Sequence, residues 1–216
     1  MTESAAVATI RATGILAVLR APSPEAALGA IDALVAGGVT GIEVTYSTPD
    51  ATAVIAETAR RHGDAVLLGA GTVTTPEQAE HAADAGAVFL VSPGTTPLVA
   101  GAMRATGAAT LLGALTPTEV MSAVSLGADA VKIFPAALGG PAYLKALRGP
   151  FPDVPMMPTG GVDADNLGTW LSAGAIAVGA GSELCSAAAM AGGRFEEIEA
   201  SARQFVAELE RARAGT

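Results

Sequence analysis

The chain has 216 residues, half of them apolar, few aromatic residues and a net charge of −9. That suits one large core of closely packed helices and strands, and it excludes the basic stripe through which proteins hold nucleic acid or an anionic membrane, so an anionic ligand needs a locally positive pocket. The single cysteine, Cys185, excludes an internal disulfide and points to a reducing, cytoplasmic compartment. The opening MTESAAVATIRATG has an acid at Glu3 and no basic-then-apolar leader pattern. No apolar run approaches the roughly eighteen residues of a membrane span.

In chain order, the pattern predicts a helix over 2–13 and then eight short β-like runs: 15–20 (ILAVLR), 39–45 (VTGIEVT), 65–70 (AVLLGA), 87–92 (AVFLVS), 109–113 (ATLLG), 130–134 (AVKIF), 154–159 (VPMMPT) and 175–179 (AIAVG). Between them lie segments with helical spacing, among them SPEAALGAIDALVAGG, TPDATAVIAETARRHG, TPEQAEHAADAG and TPTEVMSAVSLG, and a long last helix covers 194–214. Their openings join a Ser or Thr hydroxyl for the N-cap, proline at the first helical position and an early carboxylate, and glycine closes many of them. Eight strand-helix units with short connections predict an α/β fold, a single (β/α)8 TIM barrel over residues 1–216 with an N-terminal helix. A doubly wound open sheet is the structural alternative, but no dinucleotide fingerprint follows the first strand.

The sixth run contains Lys132, one of only two lysines; the other is Lys145, in the helical YLKALRG segment, where a solvated role is expected. A strand interior is a costly place for an ammonium unless it is paired or neutral. Alternation turns Val131 and Ile133 toward the helices and sends Ala130, Lys132 and Phe134 into the barrel; in the second run it turns Ile42 and Val44 out and Gly41, Glu43 and Thr45 in. Strands 2 and 6 are opposite in an eight-strand ring, so Lys132 and Glu43 can meet near the axis. A buried salt bridge alone is weak support for stability. A partly desolvated lysine, by contrast, sheds its proton more easily and attacks a carbonyl to give a Schiff base, and a nearby carboxylate that moves protons completes the requirements for aldol cleavage.

Strand 7 runs into PTGGVDADNL and strand 8 into VGAGSELC. In barrels the loops after these two strands form a recurring phosphate cradle, because glycine lets backbone N–H groups approach the anion. Gly160, Gly161, Gly181 and Ser182 are the candidate donors. Asp163 and Asp165 fit capping of the next helix. His62, His81 and Cys185 show neither metal-ligand spacing nor a nucleophile-base arrangement.

AVLRA (17–21), AGGVTGIEVTYSTPDA (36–51), LGAGTV (68–73), VSPG (91–94), VKIFPA (131–136), GPFP (149–152) and PTGGV (158–162) together resemble the bacterial 2-keto-3-deoxy-6-phosphogluconate (KDPG) and 4-hydroxy-2-oxoglutarate (KHG) aldolases, in order and over nearly the whole chain. The resemblance implies a class I aldolase, without metal or other cofactor, that splits a phosphorylated keto acid into pyruvate and glyceraldehyde 3-phosphate, usually as a homotrimer. It implies Lys132 as the Schiff-base lysine and Glu43 as the proton shuttle, Thr72 and Pro93 as lining of the pyruvyl pocket, and Thr159 with the TGG and GS loops as holders of the phosphorylated end. Phe134, beside Lys132 in the same motif, joins the substrate-binding set. Some members carry an arginine four residues after the glutamate, where this chain has Ser47; others place it as in AVLRA, so Arg20 is expected to clamp the substrate carboxylate.

PTGG resembles the gluconate-cleaving members, with the galactonate epimer and 4-hydroxy-2-oxoglutarate as alternatives. A reading from another class also stands: a phosphosugar isomerase, epimerase or binding barrel in which Lys132 is only an electrostatic group. A metal-dependent epimerase would need inward His and Asp ligands, and both histidines fall in helical stretches.

Overall fold

A computed structural model describes residues 5–215. The chain alternates α1 (Ala5–Thr13), β1 (Ile15–Leu19), α2 (Pro24–Ala36), β2 (Gly41–Thr45), α3 (Ala51–His62), β3 (Leu67–Gly71), α4 (Pro76–Asp84), β4 (Phe89–Val91), α5 (Pro97–Ala105), β5 (Ala109–Ala114), α6 (Pro117–Ser125), β6 (Ala130–Ile133), α7 (Gly140–Arg148), β7 (Met156–Pro158), α8 (Ala164–Ser172), β8 (Val178–Ala180), α9 (Ala187–Ala191) and α10 (Phe195–Ala214). All neighbouring strands pair in parallel in the order β7-β6-β5-β4-β3-β2-β1-β8, and a parallel bridge between Thr159 and Gly179 closes the ring. This is the (β/α)8 barrel. Residues 2–4 of the expected first helix lie outside the described residues.

Side-chain alternation sorts the apolar residues into two shells. Ile42, Val44, Val131 and Ile133 pack outward against helix residues such as Leu34, Ile55 and Leu147. Leu16, Phe89, Val91, Leu111, Ala130 and Met157 fill the interior, with Val7 and Ile10 of α1 beneath them. Arg213 near the end of α10 donates to the carbonyls of Arg11 and Ala12, tying the last helix to the first.

Helix starts follow the sequence signals in most places. Ser23, Thr75, Thr96 and Thr116 each accept from the N–H three residues on, with proline directly after them. At Thr116 the Glu119 carboxylate accepts from the Thr116 N–H in return and completes a capping box, and the Thr116 and Leu115 N–H groups hold that carboxyl below its ordinary range. The segment TPDA is the exception. Asp50, at φ 50°, precedes α3 without a side-chain cap, and the Thr48 hydroxyl bonds across to β1 instead, accepting from Ala21 N–H at 3.1 Å and donating to Leu19 O at 3.4 Å.

Strands begin about two residues later than the runs suggest at β2, β3, β4 and β7, and later still at β8. The displaced residues are spent on closing the preceding helix or turn. Gly38 is left-handed (φ 92°), its N–H reaches Val35 O and that of Val39 reaches Leu34 O; Gly86 and Ala87, and Gly174 and Ala175, repeat the arrangement. This is the Schellman closure, in which the residue after the glycine still belongs to the helix end.

Candidate active site

Lys132 is the third residue of β6 and Glu43 the third of β2. Lys132 Nζ donates to Glu43 Oε1 at 3.4 Å. The side chains are 5% and 0% exposed, and Glu43 Oε2 is buried with no hydrogen-bond partner among the described residues. The pair tops the interior apolar shell, since Ala130 lies one inward step below Lys132. A buried carboxylate with one oxygen free of protein partners beside an amine has the parts for moving a proton to and from a third molecule.

The other candidate residues follow strand ends at the same mouth. Phe134 lies one residue past the end of β6, its N–H still bonded to Ala114 O at 3.0 Å, and is 38% exposed, so the inward series reaches the rim of the mouth with it. Its ring centroid is 5.4 Å from Lys132 Nζ, a cation–π contact. Thr72, just after β3, is left-handed (φ 55°) and half-buried, an uncommon conformation for a threonine. Pro93, after β4, is half-buried, and its carbonyl presses against Gly113 on β5. Thr159, after β7, is buried, and its Oγ1, without a hydrogen-bond partner among the described residues, lies against Gly179 of β8.

Gly160 and Gly161 are consecutive left-handed residues, at φ 90° and 76°, a conformation that favours glycine. Asn166 pins their loop by donating to Gly161 O and accepting from Asp163 N–H, while Asp163 caps α8. Gly181 and Ser182 sit in a turn in which Leu184 and Cys185 N–H both reach Gly181 O; the next helix starts only at Ala187, so these two are not at a helix start. Among the described residues the N–H groups of Gly161, Gly181 and Ser182 donate to no protein acceptor.

Arg20 follows β1, is exposed, and forms no ion pair among the described residues. Its backbone is held on both sides. Thr45 Oγ1 donates to Leu19 O at 2.8 Å, and Thr48 bonds both Leu19 O and Ala21 N–H. Ser47 hydrogen bonds Thr45.

The residues that sequence reasoning passed over are those that make space or hold backbone: Thr48, Gly71, Gly113 and Gly179. Lys145 is exposed in α7, and His62 pairs with Asp32 at 2.9 Å. Burial pushes the Cys185 thiol up to about 12. Among the described residues no three His, Cys, Asp or Glu side chains are grouped to hold a metal ion, and no helix is long and apolar enough to cross a membrane.

The sequence profile of the family "Aldolase: KDPG and KHG aldolase" matches residues 7–201. A 2-dehydro-3-deoxy-phosphogluconate aldolase of Treponema pallidum is 37% identical over 191 residues, covering 88% of this chain and 90% of that protein. A 2-dehydro-3-deoxy-6-phosphogalactonate aldolase of Escherichia coli is 33% identical, covering 89% and 91%. Among solved structures, the KDPG aldolase of Legionella pneumophila with pyruvate captured as a covalent carbinolamine superposes with a TM-score of 0.84 at 32% identity, over 93% of this chain and 97% of that one.

Proposed function

The chain belongs to the KDPG and KHG aldolase family and is an aldolase, a lyase; on that premise we propose that it cleaves 2-dehydro-3-deoxy-6-phosphogluconate to pyruvate and D-glyceraldehyde 3-phosphate through a Schiff base on Lys132. The observation that carries the reading is the buried Lys132–Glu43 pair at the barrel mouth. The pyruvate carbinolamine of the Legionella relative supports it.

In this reading the neutral amine of Lys132 adds to the C2 ketone, and loss of water gives an iminium. The C3–C4 bond then breaks, its electrons pass into the iminium as an enamine, and the C4 hydroxyl proton moves, through water, to Glu43. Glyceraldehyde 3-phosphate leaves; Glu43 returns a proton to C3, and hydrolysis frees pyruvate and the amine. Arg20 holds the C1 carboxylate, Thr72, Pro93 and Phe134 enclose the pyruvyl part, and Thr159, Gly160, Gly161, Gly181 and Ser182 take the phosphorylated end. The unused amides of the last two loops support that final assignment. The homotrimer that the family resemblance implies is part of the reading, with the exposed Leu98 on α5 and Met121 and Val124 on α6 as candidates for its contacts.

The test is to incubate the protein with pyruvate, reduce with borohydride and weigh the peptides. The fragment containing Lys132 gains the mass of a reduced pyruvyl adduct; no gain there overturns the reading. Initial rates on the gluconate-derived acid, its galactonate epimer and 4-hydroxy-2-oxoglutarate, measured side by side, assign the substrate. Turnover persists with a chelator present; its abolition would favour the isomerase or epimerase reading.

A further inference from the structure

Gly71 ends β3 next to Thr45 of β2 and is buried. Its φ is not left-handed, so the backbone does not demand glycine there. Space does. A Cβ at this position would lie 1.9 Å from Glu43 Oε1, 2.5 Å from Cδ and 2.6 Å from Cγ, all atoms of one side chain. The carboxylate therefore fills the volume left by the missing side chain, and from there the same Oε1 reaches Lys132 Nζ. One inward step below, the equivalent volume at Gly69 is taken by the Phe89 ring, at 2.4 Å, which closes that retreat.

We propose that Gly71 is a positioning residue that fixes the Glu43 carboxylate at proton-transfer distance from Lys132 and its adduct. The inference rests on the reading of Glu43 as the group that moves protons. Gly113 and Gly179 make room in the same manner for Pro93 and Thr159, but a Cβ at Gly113 would strike backbone, at 2.2 Å from the Pro93 carbonyl carbon. At Gly71 the obstacle is the end of a flexible side chain. A methyl group there leaves the barrel able to fold and moves the carboxylate instead, by at least about 1.5 Å if ordinary contact is to be restored. A displacement of about 1 Å is enough to cost about 100-fold in rate.

The experiment follows exchange of the pyruvate methyl protons for deuterium by NMR. Exchange requires the Schiff base and a base but no phosphorylated substrate. Gly71→Ala is expected to slow exchange about 100-fold while borohydride still fixes pyruvate on Lys132 to the wild-type final extent. In a Glu43→Ala background the same substitution is expected to change exchange less than about twofold, because its effect passes through a side chain no longer there. An equal loss in both backgrounds, or wild-type exchange in Gly71→Ala, overturns the inference alone. Wild-type exchange in Glu43→Ala overturns the underlying reading, and the inference with it. Thermal unfolding of the four proteins covers a Gly71→Ala variant too unstable to assay. The clash destabilises only when Glu43 is present, and an equal destabilisation in both backgrounds overturns the proposal.

Discussion

Lys132 and Glu43 meet at 3.4 Å across the barrel although 89 residues separate them in the chain. Both are almost wholly withdrawn from water. Removing one partner of such a pair leaves a buried charge uncompensated, so Lys132→Met is expected to lower the unfolding free energy by about 3–5 kcal/mol. Lys132→Met combined with Glu43→Leu is expected to return to wild-type stability or exceed it, because apolar replacements of similar volume avoid the desolvation cost. Urea unfolding of the two variants measures both. Aldol cleavage is expected to be lost from each. A double variant as unstable as the single one would mean that the pair serves the fold instead.

The barrel was legible because two periodicities coincide in the chain. Strand alternation placed Ile42 and Val44 outside and Glu43 inside, and hydroxyl-proline-carboxylate openings marked the starts of α2, α4 and α6. What alternation could not locate was where a strand ends. Phe134 continues the inward series by count, but β6 stops at Ile133 and the ring stands at the rim. Thr48 carried the signal of a helix cap and spends its hydroxyl on Leu19 and Ala21 instead, because cap chemistry and cross-strand bonding need the same atom. The roles of Gly71, Gly113 and Gly179 left no mark in the pattern. An absent side chain does not say which neighbour uses the space.

Cys185 is 4% exposed, and burial raises its thiol from 9.0 to about 12. At pH 8 a thiol-reactive disulfide reagent is expected to label none of the folded protein and one group per chain in urea. The folded state keeps this proton where the unfolded chain loses it, so stability attributable to the thiol is intact below pH 9 and declines between about pH 9 and 12. Urea midpoints of wild type and Cys185→Ala at pH 8 and pH 10 test this, the wild type losing more between them.

On the solvent face of α3, hydrogen bonds from Arg60 and then Arg61 draw the Glu57 carboxyl from 4.5 down to about 2. A carboxyl whose folded value is depressed stabilises above its unfolded value and loses that contribution as pH falls through the folded one. Glu57→Gln is therefore expected to be less stable than wild type at pH 6, by the small amount exposed pairs supply. The difference should shrink from about pH 4.5 downward and vanish near pH 2. Thermal unfolding across that range checks it, and 1 M salt at pH 6 should shrink it too.

Arg20 combines a fixed backbone with an uncommitted side chain. The peptide groups on either side of it are bonded to Thr45 and Thr48, while the guanidinium is exposed and forms no ion pair among the described residues. A cation held that way costs the fold little and is free to meet an anion at the mouth. Arg20→Ala is expected to unfold within about 0.5 kcal/mol of wild type but to raise KM for the keto acid about 10–100-fold, as loss of a charge-assisted hydrogen bond of about 1.5–3 kcal/mol requires. Arg20→Lys should recover part of that loss, since an ammonium keeps the charge without the bidentate fork. Thr48→Val separates the clasp from the clamp. It removes the bonds to Leu19 and Ala21, costs about 1 kcal/mol in stability, and raises KM less than Arg20→Ala does, because the guanidinium remains but its anchorage loosens. A rise in KM on Arg20→Ala that is equally large for a substrate lacking the carboxylate would assign Arg20 to some other part of the molecule.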